Sequence, residues 1–201
     1  MEPARKPRGG RPRSFDRDAA VETAMRLFWR HGYEGVAVSD LTSAIGVAAP
    51  SLYAAFGSKA ELFREALARY EANQVPLGLS RLEGAATLEE AVRTLLEASI
   101  EATTDPARER GCMVSSGMLA CHPANQALSQ ELSRRRDAAR EAIASALRRW
   151  VNESEADPLA RYLAAVMQGI SVQARDGASG AELQVIVDEV VSGLRSRRSR
   201  R

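Results

Sequence analysis

Residues 46–59 read Gly-Val-Ala-Ala-Pro-Ser-Leu-Tyr-Ala-Ala-Phe-Gly-Ser-Lys. Gly46 follows a segment in which Leu41 and Ile45 lie four residues apart on one helical face, so Gly46 suits the left-handed residue that ends a helix. Pro50 fits the first turn of a second helix, where its missing N–H costs nothing. Two short helices joined by a glycine turn form a helix-turn-helix, whose second helix can enter the major groove of DNA.

Helix signals continue on both sides of this motif. Helix-start residues or capping boxes occur at Asp16, Ser58, Thr87, Pro123, Asp157-Pro158 and Ser179. Apolar residues at helical spacing follow each of them, and no segment alternates as a strand would. The pattern predicts about nine helices and an all-α fold.

Composition and charge narrow the class of protein further. The chain has 201 residues, of which 45% are apolar, and its net charge is only +2. Residues 1–14 and 195–201 are strongly basic, whereas the rest of the chain is net negative, which predicts a local contact with a polyanion. There is no apolar run long enough to span a bilayer, no signal-peptide core and only two cysteines. We therefore expect a cytoplasmic protein without a disulfide framework or a membrane segment.

Residues 15–63 resemble the DNA-binding domain of the TetR family of bacterial repressors. This segment is about a quarter of the chain, and the remainder resembles the family only in length and helical pattern. One departure is Ala37, where the family usually has a Ser or Thr that caps the second helix. The matching residues are Ala24, Leu27, Phe28, Gly32, Tyr33, Asp40, Leu41, Gly46, Val47, Leu52, Tyr53, Phe56, Ser58, Lys59 and Leu62.

The resemblance implies how the chain is organised. Residues 1–14 are expected to be a disordered basic arm, 15–58 the helix-turn-helix domain, 59–197 a helical ligand-binding and dimerisation domain, and 198–201 a basic tail. The implied function is that of a homodimeric repressor, which is not an enzyme and needs no cofactor or metal. Its partners would be double-stranded operator DNA and a small molecule of unknown identity. The ligand would favour an off-DNA spacing of the two DNA-binding heads.

The expected DNA contacts lie on the arm and the helix-turn-helix. Tyr53 follows the buried Leu52, so its hydroxyl can reach a phosphate, or its ring can simply pack on the first helix. Lys59 can share a phosphate with the free N–H groups of its helix, or remain solvated. Ala54 and Ala55 can meet thymine methyl groups or contact nothing. Base selection would then depend on hydroxyl groups, methyl contacts, the arm and DNA shape. The full predicted set is Arg11, Arg13, Ser39, Ala49, Pro50, Ser51, Tyr53 and Lys59.

Ligand contacts are predicted from soft and reactive side chains in the C-terminal part: Cys112, Met113, Met118, Trp150 and Met167. Each of them can equally be ordinary core. Cys112 can act as a sensor of oxidants or electrophiles, because Arg108 and Arg110 precede it, or be a small buried hydrophobe. In one helix, Cys112 and Cys121 would lie about 13.5 Å apart, too far for a disulfide. The run at residues 134–136 is interpreted as a solvated helical face.

Dimerisation is predicted to involve the last two long helices. Small residues on the first of them allow close packing, and the last helix carries more apolar residues than one core face needs. Two such helices per chain would form a four-helix contact across a two-fold axis. The predicted interface residues are Ala165, Gly169, Val172, Val187 and Val191.

Two other classes of protein compete with this interpretation. An enzyme would need a catalytic or nucleotide-binding constellation, but the chain has only two histidines, no phosphate-binding glycine loop and no metal-ligand spacing. An architectural DNA-binding protein would have no ligand. A cavity in the C-terminal part would count against the architectural protein, whereas a solid core would favour it.

Overall fold

The computed structural model of the protein describes residues 16–73 and 78–198. These residues contain nine α-helices and no strand, so the predicted all-α fold is confirmed. The predicted arm and residues 199–201 of the predicted tail lie outside the described residues. Two 3-10 helices, Leu79–Gly84 and Pro123–Asn125, complete the secondary structure of this part of the chain. The α-helices are α1 (Arg17–His31), α2 (Val38–Ile45), α3 (Ala49–Phe56), α4 (Lys59–Asn73), α5 (Leu88–Thr104), α6 (Met113–Ser116), α7 (Gln126–Leu147), α8 (Glu153–Arg175) and α9 (Gly180–Arg198).

The turn between α2 and α3 has the expected geometry. Gly46 is left-handed, with φ +77° and ψ +36°, and its N–H donates to the carbonyl of Thr42. At the other end of α2, Ala37 offers no side-chain cap, but the Asp40 carboxylate accepts from the Ala37 N–H at 2.7 Å. Half of a capping box is therefore retained at the point where the sequence departs from the family.

The starts of α7 and α8 differ from the sequence prediction. The α8 helix begins at Glu153, because the side chain of Asn152 accepts from the Glu155 N–H at 3.1 Å. Pro158, predicted to open this helix, instead lies inside it. Before α7, Pro123 opens only a short 3-10 turn, and α7 itself ends at Leu147.

The first of two hydrophobic clusters joins the N-terminal helices to later parts of the chain. Phe28 of α1 packs edge-on against Phe63 of α4 with ring centroids 5.0 Å apart, and both side chains are fully buried. The same cluster includes Met113 of α6 and Leu132 of α7. We call helices α1–α4 the head. Helices α1–α3 lie in the predicted DNA-binding domain, residues 15–58, and α4 is the next helix along the chain. Their core is therefore completed by side chains from beyond residue 110.

The second cluster is built around α5, which packs against both α8 and α9. Val187 and Val191 are 0% and 1% exposed in this cluster, so the prediction that they form an interface stripe is wrong. They already fill the core between α9 and α5. Val185, on another side of α9, is instead 61% exposed. Within the described residues, no helix is both long and apolar enough to cross a membrane.

Candidate nucleic-acid interface and ligand cavity

One surface of α2 and α3 is packed and the other is exposed. Leu41, Leu52 and Phe56 are buried against the rest of the head, which fixes the two helices relative to each other. The opposite surface carries the residues predicted for DNA contact in this motif, and all are exposed: Ser39, Ala49, Pro50, Ser51 and Tyr53. The Tyr53 side chain is 47% exposed, which is compatible with either of its predicted roles.

The exposed surface of the motif lacks the side chains that usually form paired hydrogen bonds to DNA bases. Residues 31–58 contain no Arg, Lys, Asn or Gln, the residue types that form paired hydrogen bonds to guanine or adenine. The exposed groups around α3 are hydroxyls, such as those of Ser51 and Tyr53, and methyl groups, such as those of Ala49 and Ala54. This segment can therefore offer a DNA major groove single hydrogen bonds and apolar contacts, but no bidentate contact of this kind.

Lys59 has partners within the head. Its Nζ lies 4.1 Å from the centroid of the Tyr33 ring, a cation–π contact. Partial burial lowers the pKa of Lys59, while the nearby carboxylates of Glu34 and Asp40 act in the opposite direction. The Lys59 side chain is half-buried rather than fully solvated. Its ammonium group is thus held at one place on the surface of the head.

Hydrogen bonds to backbone carbonyls join the head to the segment around α6. The indole Nε1–H of Trp29 donates to the Gly111 carbonyl at 3.1 Å, and the Tyr33 N–H donates to the Gly117 carbonyl at 2.9 Å. Gly32 makes the second bond possible, because its φ is +71° and a Cβ there would lie 3.1 Å from the Gly117 carbonyl oxygen. The end of α1 and the α6 segment are therefore in direct contact.

Two carboxylates strengthen this junction from either side. The Arg30 guanidinium and the Glu109 carboxylate form two hydrogen bonds of 2.8 Å each. The Glu34 carboxylate accepts from the side-chain amide of Asn125 and from the His122 N–H, both at 2.9 Å. The bond from Asn125, followed by that from His122, lowers the pKa of Glu34.

A cavity of about 540 Å³ lies between α5, α7 and α8, with α4 and α6 beside it. Of the predicted ligand residues, Cys112 and Met167 line it. Met113 and Met118 do not, because they are buried in the first hydrophobic cluster. Trp150 packs beside the second cluster, with the Arg149 guanidinium over its ring. The prediction that Met113, Met118 and Trp150 form pocket walls is therefore wrong for this cavity.

Cys112 lies at the wall of the cavity, immediately before α6. Its N–H donates to the Ser171 hydroxyl at 2.8 Å, and its side chain lies beside the phenol of Tyr70. Burial, with a further contribution from the neighbouring Cys112, raises the pKa of Tyr70 well above its ordinary range. Cys121, which is also a free and half-buried thiol, does not line the cavity. Among the residues described here, no group of three or more His, Cys, Asp or Glu side chains is placed to hold a metal ion.

Sequence reasoning missed the basic wall of the cavity. Arg135, Arg136 and Arg140 of α7 all line it, whereas their neighbour Arg134 is exposed and does not. The interpretation of residues 134–136 as a solvated face is thus correct only for the first of them. Helical spacing contained a usable signal, because the three cavity arginines share a face with the buried Ile143.

Both α8 and α9 expose apolar groups. Tyr162 and Val172 are 45% and 43% exposed on the same side of α8 as Ala165. Gly169 lies between them in the sequence, and a Cβ added there would meet nothing within 4 Å. On α9, Val185 is exposed as well.

Comparison with known proteins gives consistent matches along most of the chain. Residues 20–66 match the family model for bacterial regulatory proteins of the tetR family. The Escherichia coli HTH-type transcriptional repressor ComR is 33% identical over 184 residues, which cover 88% of each chain. The E. coli repressor BdcR is 32% identical, with 87% of this chain and 86% of BdcR covered.

A solved structure is similar over nearly the whole chain. It is that of a cysteine mutant of the TetR family transcriptional regulator CifR, complexed with a 26-base-pair double-stranded operator DNA. The TM-score is 0.81 and the sequence identity is 36%. The match covers 91% of this chain and 98% of the CifR chain.

The contacts of Glu34 predict a pH dependence of stability. Because the folded state lowers the pKa of this carboxyl below its ordinary value, its stabilising effect is present above that value and is lost as the pH falls through the lowered one. Glu34→Gln should therefore unfold at lower urea concentration than the wild type at neutral pH, and the difference should shrink below about pH 4.5. Urea titrations at several pH values measure the difference between the unfolding midpoints of the wild type and Glu34→Gln. The same substitution at the exposed Glu83, Glu83→Gln, serves as the control. A difference that is constant with pH would contradict the assignment.

Proposed function

This chain belongs to the tetR family of bacterial regulatory proteins, and on that premise we propose that it is a homodimeric transcriptional repressor released from its operator by a small molecule. In this proposal, residues 1–14 form a basic arm, 15–58 the DNA-binding domain, 59–197 the ligand-binding and dimerisation domain, and 198–201 a basic tail. Members of the family regulate transcription, which argues against the enzyme considered from the sequence.

The observation that carries the proposal is that one stretch of chain serves both the cavity and the head. Cys112 and Val114 line the cavity, while the neighbouring carbonyls of Gly111 and Gly117 accept hydrogen bonds from the head. A ligand that displaces this stretch must therefore change the position or the bonding of α1. Such a ligand needs only to prefer one arrangement of the heads to shift the population off the operator. The cavity itself favours this function over an architectural protein without a ligand.

The proposed DNA surface combines phosphate contacts with apolar contacts to bases. We assign Tyr53 and Lys59 to phosphates, and Ala49 and Pro50 to the floor of the major groove. Ser39 and Ser51 would supply single hydrogen bonds. Arg11 and Arg13, which precede the described residues, would add contacts from the arm. The complex of CifR with operator DNA supports double-stranded DNA as the partner.

Recognition through methyl groups predicts sensitivity to the thymine methyl. An operator would be selected from random duplex DNA with the purified protein, and its thymines replaced one at a time by deoxyuridine. At positions beneath α3, each replacement should weaken binding about fourfold, the effect of one buried methyl group. Ala54→Gly should reduce the ratio of the affinities for the thymine and deoxyuridine operators (the thymine-to-uracil ratio) at one position. Any loss of helix stability weakens binding to both operators equally and therefore cancels in this ratio. Unchanged affinity at every substituted position would refute methyl recognition.

Lys59→Gln serves as the matched phosphate variant in the same gel-shift measurements. It should weaken binding to the thymine and deoxyuridine operators equally, because a phosphate contact carries no base information. The slope of log affinity against log salt concentration should also decrease by about one. A changed thymine-to-uracil ratio in this variant would contradict the assignment of Lys59 to a phosphate.

We assign the dimer interface to the exposed apolar face of α8 and α9. Ala165, Gly169 and Val172 remain in the assignment, and Val185 replaces the buried valines that the sequence had indicated. Small residues at Ala165 and Gly169 would let two copies of α8 approach closely across a two-fold axis. An apolar face of this kind is typical of an interaction site.

Charged substitutions separate the interface from the core. Val172→Glu and Val185→Glu should give folded monomers that bind the operator weakly, because a single head makes half of the contacts. Val187→Glu should abolish cooperative unfolding instead, since it places an unpaired carboxylate in the core. Light scattering and urea titration distinguish these results, with the exposed Ala68→Glu as control. A Val185→Glu, Val172→Glu double variant that stays dimeric would eliminate this interface.

Modification of Cys112 is a second route of release, favoured by its position in the cavity wall beside Tyr70. Alkylation would add bulk next to the hydrogen bond that the Cys112 N–H donates to the Ser171 hydroxyl. It would thereby disturb the segment around α6, which is joined to the head. Treatment with N-ethylmaleimide should release the operator from wild type and Cys121→Ser, but not from Cys112→Ser. Gel shifts before and after treatment measure this. Equal release from all three proteins, or none from the wild type, would leave only the non-covalent route.

A further inference from the structure

The charge of the cavity is unevenly distributed over its walls. Three arginines that line it face carboxylates that also line it: Arg135 with Glu71, Arg81 with Glu101, and Arg108 with Asp105. These three pairs balance within the cavity. They lie mostly toward its outer part, where Glu71, Arg81, Glu101 and Arg108 are exposed. A ligand group entering this region meets charges that already have partners.

Arg136 and Arg140 differ from these three arginines, because within the described part of the chain neither forms an ion pair with a carboxylate that lines the cavity. The Nη1–H of Arg136 donates to the neutral carbonyl of Val114 at 3.1 Å. Arg140 bonds to Asp137 at 2.6 Å, but Asp137 belongs to the same helix and does not line the cavity. The α7 wall therefore presents an excess of positive charge to the interior. The Arg140 side chain is only 26% exposed, so solvent screens this charge incompletely.

Apolar side chains form much of the rest of the cavity wall. Ala98 and Ala102 of α5 form one side, and Met167 of α8 forms another. Ile143, one helical turn beyond Ala139 and Arg140 on α7, is almost fully buried at the inner part of the wall. The cavity thus combines a basic strip with apolar walls. A complementary ligand has one anionic end and an apolar body.

We propose that the cavity binds small anionic amphipathic molecules, with a carboxylate or phosphate on Arg136 and Arg140 and an apolar body against α5 and α8. A guanidinium group has five N–H donors in a planar fork that fits either anion, and Arg136 uses only Nη1 in its bond to Val114. A cationic ligand would face like charge on this wall. The proposal rests on the ligand function given above and names the chemical class of the ligand.

The position of Arg136 also connects ligand binding to the head. Its hydrogen-bond acceptor, Val114, lies in α6, and the Gly117 carbonyl just beyond α6 accepts from Tyr33 of the head. An anion held by the remaining donors of Arg136 draws the guanidinium toward itself and lengthens the bond from its Nη1–H to the Val114 carbonyl. Binding of the anion therefore weakens one of the bonds that hold α6 against α7.

Calorimetry with matched ten-carbon probes tests the proposal on the full-length protein. The probes are decanoate, decyl phosphate, decan-1-ol and decyltrimethylammonium. At least one of the two anions should bind about tenfold or more tightly than the alcohol, as the loss of a charge-assisted hydrogen bond requires, and the cation should bind most weakly. The two anionic arms distinguish a carboxylate from a phosphate ligand. Alcohol or cation binding as tight as that of both anions, or no binding of either anion, would overturn the proposal.

Arginine variants of α7 supply the matched controls. Arg136→Gln and Arg140→Gln should each weaken binding of the preferred anion about tenfold and leave decan-1-ol unchanged. Arg134→Gln, on the exposed face of the same helix, should bind like the wild type. Thermal unfolding establishes that each variant is folded. If only one of the two cavity variants folds, that variant alone is enough for the test. Equal losses in Arg134→Gln and in the folded cavity variants would show a nonspecific charge effect and refute the site.

Operator binding separates this inference from the proposed function. Wild type without any probe should bind a selected operator, and the preferred anion should release it. A protein that never binds duplex DNA but discriminates between decanoate and decan-1-ol would refute the repressor function and retain the ligand class. A protein that binds the operator but responds equally to decan-1-ol and to the anions would retain the function and refute the ligand class.

Discussion

The hydrophobic cluster around Phe28 and Phe63 fixes the four N-terminal helices to the later part of the chain. The four N-terminal helices are too small to enclose these rings alone, and Met113, Met118, Leu128 and Leu132 complete the cluster from later in the chain. The head is consequently not a free module on a linker. Its orientation is set by where α6 and the start of α7 lie, because moving either would expose buried apolar surface.

Polar contacts at the same junction are individually weak but well placed. The hydrogen bonds of Trp29, Tyr33 and Glu34 each contribute on the order of 1 kcal/mol in typical proteins, much less than the burial of the aromatic core. A ligand that binds two arrangements of α6 with modestly different affinity can therefore redistribute these bonds without unfolding the cluster. This division between a strong apolar joint and weak polar contacts suits a switch that must remain folded in both states.

The cavity and the recognition surface have opposite chemical characters. Segment 31–58 lacks the long polar side chains that usually read bases, while the cavity wall of α7 is crowded with arginine. On the DNA side, neutral methyl and hydroxyl groups limit recognition to contacts that depend on close fit. On the ligand side, guanidinium groups provide directional, charged contacts.

Much of the fold and part of the site could be predicted from the sequence. The spacing of Leu41, Ile45, Leu52 and Phe56 and the left-handed Gly46 determined the helix-turn-helix, because both signals act within a few residues. The caps at Asp16, Thr87 and Ser179 were likewise correct. The start of α8 was mistaken because two local signals competed, and the cap of Asn152 prevailed over Pro158.

Which face of each helix is buried, and against which partner, depends on the tertiary packing. The sequence shows that α9 is rich in valine. It is the packing of α9 on α5 that buries Val187 in the core and leaves Val185 exposed. Tertiary packing likewise places Arg136 at the cavity and Lys59 over the Tyr33 ring. Sequence alone determined the elements, since hydrogen bonding and side-chain spacing within a helix are local. The environments of these side chains were decided by contacts between distant residues, such as Arg175 with the Trp29 carbonyl at 2.6 Å, which no local pattern encodes.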